Sequence, residues 1–175
     1  TLTLSGTSGT PFSNSGTFTA STGTVTYTGN NSGGNTTVAA VTYNNLTLNN
    51  ASETYVLAGT TTVGGNLTIT AGTLDTVSGQ NYALSVGGNF SNAGTFTARS
   101  GTVTLTGTDS DNTLTSGGTS FYNLTQNGSG GTYALKDTTI VSNVLTITAG
   151  TLNAGAVTLT LSGTSGTPFS NSGTF

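Results

Sequence analysis

The sequence predicts an all-β chain wound into a β-solenoid, an uncapped stack of about eight to nine coils of roughly 20 residues each. Three observations predict it: strands that alternate polar and apolar residues, Gly and Asn between those strands, and internal repeats at three lengths. The 175 residues include 27 Gly and are only 4% charged, whereas typical soluble domains are roughly 25% charged. No window has the 3.6-residue spacing of a helix, so we expect none.

Strict alternation of polar and apolar residues marks the strands. Examples are residues 24–28 (TVTYT), 67–70 (LTIT) and 102–106 (TVTLT). A period of two places one face of a strand inside and the other in solvent, and Thr, Val and Ile suit such a pleated surface. The alternation therefore favours ordered β-structure over the disorder that a Gly- and Ser-rich composition also allows.

The longest repeat joins the two ends of the sequence. Residues 158–175 repeat residues 1–18 without a change, at an offset of 157. We therefore interpret residues 1–157 as one full repeat unit and residues 158–175 as the start of the next. A tandem array explains this pattern, and a self-contained globular domain does not.

Each unit divides into two half-repeats, roughly 12–89 and 90–168, at an offset of 78 residues. Phe12–Asn30 and Phe90–Thr108, for example, agree at 14 of 19 positions. Tyr55–Leu74 and Tyr133–Leu152 agree at 13 of 20 positions at the same offset.

The shortest repeat is an apolar–Ser/Thr–apolar strand core, with Gln once in place of the last apolar residue. Eight intervals between successive cores cover 157 residues and average about 19.6, the size of one β-helix coil. At about 4.8 Å between coils, eight coils predict roughly 38 Å of rod per unit. The cores begin at Leu2, Val25, Leu46, Leu67, Leu84, Val103, Leu124, Leu145 and Leu159.

A string of Ig-like sandwiches is the alternative architecture, because one half-repeat has the length of a small sandwich domain. The subdivision of each half-repeat into about four strand cores argues against it, as does the lack of a visible linker.

Large apolar residues recur in register along the repeat. We expect them to form a core stack inside the solenoid, because alternate strand positions hold Thr. An exposed strip of aromatic rings that binds carbohydrate is the alternative. The predicted core stack comprises Phe12, Phe18, Phe90, Phe96, Phe169, Phe175, Leu67, Ile69, Leu145 and Ile147.

The charged residues do not predict an enzyme. Glycosidic bond cleavage needs paired carboxylates, and the charges of one half-repeat are absent from the other. Arg99 corresponds to Ser21, and Glu53 to Gly131. We therefore interpret the charged side chains as solvated surface groups and expect no catalytic site.

One short segment has the look of a calcium loop. Asp109 and Asp111, in the run Asp-Ser-Asp-Asn, place oxygen ligands at alternate positions. A polar turn is the alternative, and the other half-repeat lacks these carboxylates. No other metal and no cofactor is expected.

Composition also excludes classes of partner. The only basic residues are Arg99 and Lys136, too few to bind nucleic acid through its phosphates. No apolar run approaches the roughly 20 residues of a membrane helix, so we expect no membrane insertion.

Several motifs resemble the β-strand-repeat proteins of bacterial cell surfaces, a group of large adhesin-like, filament-forming β-solenoid exoproteins. They are GGNFSNAGTFTA at Gly87–Ala98 with its counterpart at Phe12–Ala20, and the blocks YNNLT at Tyr43–Thr47 and FYNLT at Phe121–Thr125. The resemblance covers nearly the whole chain. It implies an extracellular or cell-surface fibrous protein and supplies no catalytic residues.

The function expected from these observations is mechanical. The chain would be a structural repeat of an extracellular bacterial filament or surface fibre, a rigid rod in attachment or in a matrix or sheath. Its main partner would be itself, through tandem covalent continuation or end-to-end docking, with lateral bundling and surface glycans as further partners. The alternatives are the stalk of a large adhesin and a glycan- or ice-binding β-solenoid.

Overall fold

The computed structural model describes residues 1–164 and 166–175 and confirms the predicted β-solenoid of about eight turns. Every strand pairing in this part of the chain is parallel, and it contains no helix. Parallel pairing excludes the Ig-like alternative, because sandwich strands pair antiparallel. The strands are β1 (Leu2–Leu4), β2 (Thr24–Tyr27), β3 (Thr36–Val38), β4 (Thr42–Tyr43), β5 (Asn45–Leu57), β6 (Thr61–Val63), β7 (Leu67–Asp75), β8 (Leu84–Val86), β9 (Phe90–Asn92), β10 (Thr95–Thr97), β11 (Thr102–Leu105), β12 (Asn112–Thr115), β13 (Ser120–Leu135), β14 (Thr139–Asn153), β15 (Leu159–Leu161) and β16 (Phe169–Asn171).

The strands form three columns along the solenoid, and each coil passes through them in the same order. The first column holds β1, β2, the starts of β5 and β7, then β9, β12 and the ends of β13 and β14. The second holds β3, the ends of β5 and β7, then β10, the starts of β13 and β14, and β15. The third holds β4, β6, β8, β11, the middle of β13 and of β14, and β16.

Apolar side chains of successive coils stack inside the columns. In the first column Val25, Leu46, Leu67 and Phe90 are paired in turn and are at most 2% exposed. Complete burial of one such side chain contributes about 1.5–3 kcal/mol relative to leaving it in water. No coil could bury these residues alone, so the fold depends on the stacking of neighbours.

A row of glycines lines one corner of the solenoid. A Cβ on Gly128 would overlap the carbonyl oxygen of Gly107, and a Cβ on Gly107 would overlap that of Gly87. The backbones of successive coils therefore approach each other too closely here for any side chain. Gly29 and Gly107, which are equivalent in the two half-repeats, both lie at such a close approach, whereas Asn50 stands in the first half-repeat where the second has Gly128.

The half-repeat does not contain a whole number of coils. Val25 and Leu46 lie in the first column, whereas Val103 and Leu124, their equivalents 78 residues later, lie in the third. Passing from one set to the other takes about three and two-thirds coils. Equivalent residues of successive half-repeats are consequently presented about one third of a turn apart around the rod.

The full unit is correspondingly about seven and a third coils long, not eight. The step from Leu67 to Leu84 passes from the first column to the third, and that from Leu145 to Leu159 from the third to the second. Each of these two short intervals is about two thirds of a coil, which explains the irregular spacing of the strand cores. At about 4.8 Å per coil, one unit adds about 35 Å of rod instead of the predicted 38 Å.

Candidate functional site

Asp109 and Asp111 lie in an exposed turn between β11 and β12. The turn is held through the backbone: the Asp109 carbonyl accepts hydrogen bonds from Asn112 Nδ2 at 2.9 Å and from the Thr132 N–H at 2.9 Å. Across the described residues, no three His, Cys, Asp or Glu side chains are grouped so that they could hold a metal ion. The geometry is that of a hydrogen-bonded polar turn.

Glu53 is buried, so the expectation that it is a solvated surface charge was wrong. Its side chain is 2% exposed. Its carboxylate accepts hydrogen bonds from the backbone N–H groups of Asn31 at 2.6 Å and Thr36 at 3.0 Å. Glu53 thus fixes the loop that leads into β3, and the buried charge is compensated by two donors.

Asp75 also differs from the expectation of a solvated charge, because it is 8% exposed. Arg99, one coil later, binds it with two hydrogen bonds of 2.9 and 2.6 Å. This hydrogen bonding by Arg99 lowers the pKa of the Asp75 carboxyl below its ordinary value. The pair joins two neighbouring coils.

Gln126 is the one side chain in the described part of the chain whose buried polar atoms have no hydrogen-bond partner. It is 0% exposed and pairs in the third column with Leu105 and Ile147. Its equivalent in the first half-repeat is Leu48, which is also 0% exposed. An unpaired amide inside an apolar stack reduces stability.

Two buried tyrosines are linked through their hydroxyl groups. Tyr27 and Tyr43 lie 3.1 Å apart at their Oη atoms, and the Tyr43 hydroxyl donates to the Ala39 carbonyl at 2.9 Å. Burial raises the pKa of both phenols above the ordinary value. They remain neutral at physiological pH and act as core residues.

Six residues of the predicted core stack lie in the interior at 0–3% exposure: Phe90, Phe96, Leu67, Ile69, Leu145 and Ile147. Phe12 and Phe18 are only partly buried and pack against the edge of this core.

Phe169 and Phe175 are exposed, by 36% and 58%, in contrast to the predicted core position. They lie on the last coil of the chain and pack against each other, with ring centroids 5.8 Å apart. The equivalent pair, Phe90 and Phe96, lies 5.5 Å apart and is covered by Phe121 of the next coil. Exposure of the last pair thus follows from its position and not from its sequence.

The identical segments 1–18 and 158–175 have different structures. Phe169–Asn171 form β16 on the middle of β14, whereas the same residues at positions 12–14 form no strand. β14 supplies backbone partners for Phe169–Asn171, whereas no strand of the described residues pairs with residues 12–14. The same sequence therefore forms a strand where a neighbouring strand supplies its backbone partners.

Two clefts mark the junction between residues 1–18 and the coils above them. One has a volume of about 290 Å³ and is lined by Phe18, Thr42 and Tyr43, among others. The second, of about 210 Å³, is lined by Leu2, Phe18 and Val25, among others. Both clefts are open to solvent and share Phe18 as a lining residue.

Hydroxyl side chains form files along the outer surface, one residue per coil. Each file consists of residues paired across neighbouring strands and pointing away from the core. The longer files are Thr3, Thr26, Thr47, Thr68 and Ser91 in the first column, and Thr42, Thr62, Ser85, Thr104, Thr125, Thr146 and Ser170 in the third.

Comparison of the chain with protein-family models, with curated proteins and with solved structures gives no match. Within the described residues no helix is long and apolar enough to cross a membrane.

Proposed function

We propose that this chain is a structural segment of an extracellular filament or surface fibre of bacterial type, in which it acts as a rigid rod. The observation that carries the proposal is the continuous stacking of its coils. Parallel pairing runs without a break through the first and third columns, and the repeat units follow one another within a single solenoid.

The core supports a mechanical role, because it runs the length of the rod without a break between half-repeats. Phe90 begins the second half-repeat and stacks on Leu67 of the first and under Leu114 of the second. The half-repeats are therefore not separate domains. Bending at a hinge between them would pull apart strands that are buried and hydrogen-bonded to each other.

The surface supports the same role. The chain has two basic and five acidic residues, and two of the acidic residues, Glu53 and Asp75, are buried. Neutral hydroxyl and amide groups cover the outside, so parallel rods would repel each other little. Such a surface fits a fibre or a sheath that packs side by side.

Immunogold electron microscopy of the native source material tests this proposal. Antibodies raised against the folded chain should label extended fibres or the outer cell surface. Labelling confined to the cell interior, or to compact particles without rods, would exclude the filament role. Antibodies absorbed with the pure chain serve as the control.

A surface that orders water or binds glycan is a second candidate, favoured by the hydroxyl files. The file of the third column presents one Thr or Ser per coil at about 4.8 Å spacing, although Asn123 and Asn127 flank Thr125 on the same strand. Thermal hysteresis and inhibition of ice recrystallisation measure this activity directly. Activity that is lost in Thr125→Lys would favour the second candidate, and inactivity of the unchanged chain would exclude ice binding.

A further inference from the structure

We infer that one corner of the rod binds an extended, neutral polysaccharide through Tyr82 and Tyr122. The two tyrosines lie where the chain turns from the second column into the third, on coils that are separated by one intervening coil. The ligand that fits them is a β-1,4-linked glycan that runs along the rod axis. This site adds a ligand to the proposed rod, and its test does not depend on whether native fibres form.

The register of the third column places the two tyrosines in one file. Tyr82, Gly101 and Tyr122 each precede a core residue of that column by two positions. These core residues pair in turn across three coils: Leu84, Val103 and Leu124. The two rings are therefore attached to the rod two coil spacings apart, about 9.6 Å. The residue between them is a glycine and carries no side chain.

The hydroxyl groups of Tyr82 and Tyr122 differ from those of the other four tyrosines. The other four hydroxyls form hydrogen bonds inside the solenoid, at Tyr27, Tyr43, Tyr55 and Tyr133. The rings of Tyr82 and Tyr122 pack against the edge of the core, and their hydroxyls have no partner among the described residues. Neither hydroxyl is a buried atom. Both therefore reach solvent and can donate to a ligand or accept from it.

Polar groups with spare hydrogen-bonding capacity lie beside Tyr82. The side chain of Arg99 is 41% exposed and binds Asp75 through Nε and Nη2, and Nη1 has no partner in the described part of the chain. Asn81 Oδ1 accepts a hydrogen bond from the Ser100 N–H at 3.0 Å. Aromatic rings with a few fixed polar groups are typical of small-ligand sites. Because Asp75 neutralises Arg99, the corner favours an uncharged ligand.

The residues of this corner are not shared by the two half-repeats. Their counterparts in the other half-repeat are Val157 for Tyr82, Asn44 for Tyr122 and Ser21 for Arg99. The loop before Tyr82 is also three residues longer, because ten positions separate Leu74 from Leu84 and seven separate Leu152 from Leu159. The other half-repeat forms its coils without these features, so the fold does not require them.

The loop before Tyr82 is held in a strained conformation. Val77 has a φ of 71°, in the left-handed region that β-branched residues rarely adopt. Its N–H donates to Asp75 Oδ1 at 2.8 Å, and its carbonyl accepts from the Asn81 N–H at 2.8 Å. Strain that neighbouring groups hold in place is common at ligand sites. Here it fixes Asn81 directly before Tyr82.

The spacing of the two rings favours one class of polysaccharide. In a β-1,4-linked chain each pyranose ring is turned over relative to the one before it, so alternate rings present the same side. Two tyrosines about 9.6 Å apart match two alternate rings of such a chain. An α-1,4-linked chain curls and does not hold alternate rings in a straight line. The amphipathic tyrosine suits this contact, because its ring packs on the sugar and its hydroxyl bonds to it.

Isothermal titration calorimetry with cellohexaose tests the site in the folded chain. Maltohexaose, the α-1,4-linked isomer, is the matched control ligand and should bind at least about tenfold more weakly. Cellobiose is too short to reach both rings, and it should also bind at least about tenfold more weakly than cellohexaose.

Two variants test the assignment to the tyrosines. Tyr82→Val and Tyr122→Asn introduce the residues that the other half-repeat has at these positions, so both should fold, which circular dichroism verifies. Each should weaken the binding of cellohexaose by about tenfold. Thr47→Asn, on the outer face of the first column, is the matched control and should leave the affinity unchanged.

Two results with the parent chain would overturn the inference: no binding of cellohexaose, or equal affinity for the two hexasaccharides. Binding that neither tyrosine variant weakens would also overturn it. The outcome is separable from the proposed function. Labelled native fibres without cellohexaose binding would exclude the glycan site alone. Binding at the tyrosines without native fibres would exclude the filament role and leave the site intact.

Discussion

Thr160 occupies the same place in the repeat as Thr3 but lies in a different column of the solenoid. Thr3 pairs with Thr26 in the first column, and Thr160 pairs with Ile140 in the second. One repeat unit therefore ends about a third of a turn away from where it began. Any surface feature that each unit carries is distributed around the three sides of the rod.

Replacement of Gly128 by Ala should destabilise the fold, because the added Cβ overlaps the Gly107 carbonyl oxygen. The corner must shift, and we expect a loss of about 1–3 kcal/mol in the free energy of unfolding, measured by urea denaturation. Gly16→Ala is the matched control, since a Cβ there has no atom within 4 Å. Equal effects of the two variants would mean that the corner is not closely packed.

Gln126→Leu should stabilise the chain. The change removes a buried amide with no partner and restores the residue that the first half-repeat has at Leu48. We expect a gain of about 1–3 kcal/mol in the free energy of unfolding. The reverse exchange, Leu48→Gln, should cost a similar amount or more. A loss of stability in Gln126→Leu would show that the amide has a partner in solution.

Glu53→Ala should destabilise the chain because it leaves the N–H groups of Asn31 and Thr36 without an acceptor. Hydrogen bonds to a charged group contribute about 1.5–3 kcal/mol, and we expect a loss of that order in urea denaturation. Asp111→Asn, on the exposed turn, should change stability by less than about 0.5 kcal/mol. A Glu53→Ala variant as stable as the Asp111→Asn control would contradict the assignment of Glu53 as a loop anchor.

Stability should fall in alkaline solution. Burial is the main reason that the pKa of Tyr55 and the pKa of Tyr133 are each raised to about 12. The pKa of Tyr in an unfolded chain is near 10. The unfolded chain then loses phenolic protons first, so the stability contributed by these groups is fully present below about pH 10 and is lost between about pH 10 and pH 12.

Urea denaturation at a series of pH values measures this loss. Tyr55→Phe lacks one of the buried phenols whose pKa is raised and should depend less steeply on pH over the same range. Unchanged stability of the parent chain up to about pH 12 would mean that these hydroxyl groups ionise freely in the folded state.

The fold could be predicted from the sequence, because polar and apolar residues alternate in the strands and the units repeat in tandem. The sequence also indicated which of the recurring residues lie inside. The burial of individual aromatic rings could not be predicted from the sequence. The same run, FSN, begins at Phe12, Phe90 and Phe169. Only Phe90 has a coil on both sides and is fully buried, so burial here depends on a neighbour and not on local sequence.

The buried carboxylates could not be inferred from the repeat. Glu53 and Asp75 have no charged equivalent in the other half-repeat, which favoured the interpretation as solvated groups. Their burial depends on partners one coil away: the Thr36 N–H for Glu53 and Arg99 for Asp75. The register of neighbouring coils determines which residues form such pairs, and the repeat pattern alone does not give that register.

Cryo-electron microscopy of a polypeptide with several tandem copies of residues 1–157 tests the central claim most directly. The pairing of β15 with β14 predicts an unbroken rod that lengthens by about 35 Å per unit. Each unit should be turned by about a third of a turn relative to the one before it. Separate globular beads, or units that repeat without rotation on a whole number of coils, would contradict the account.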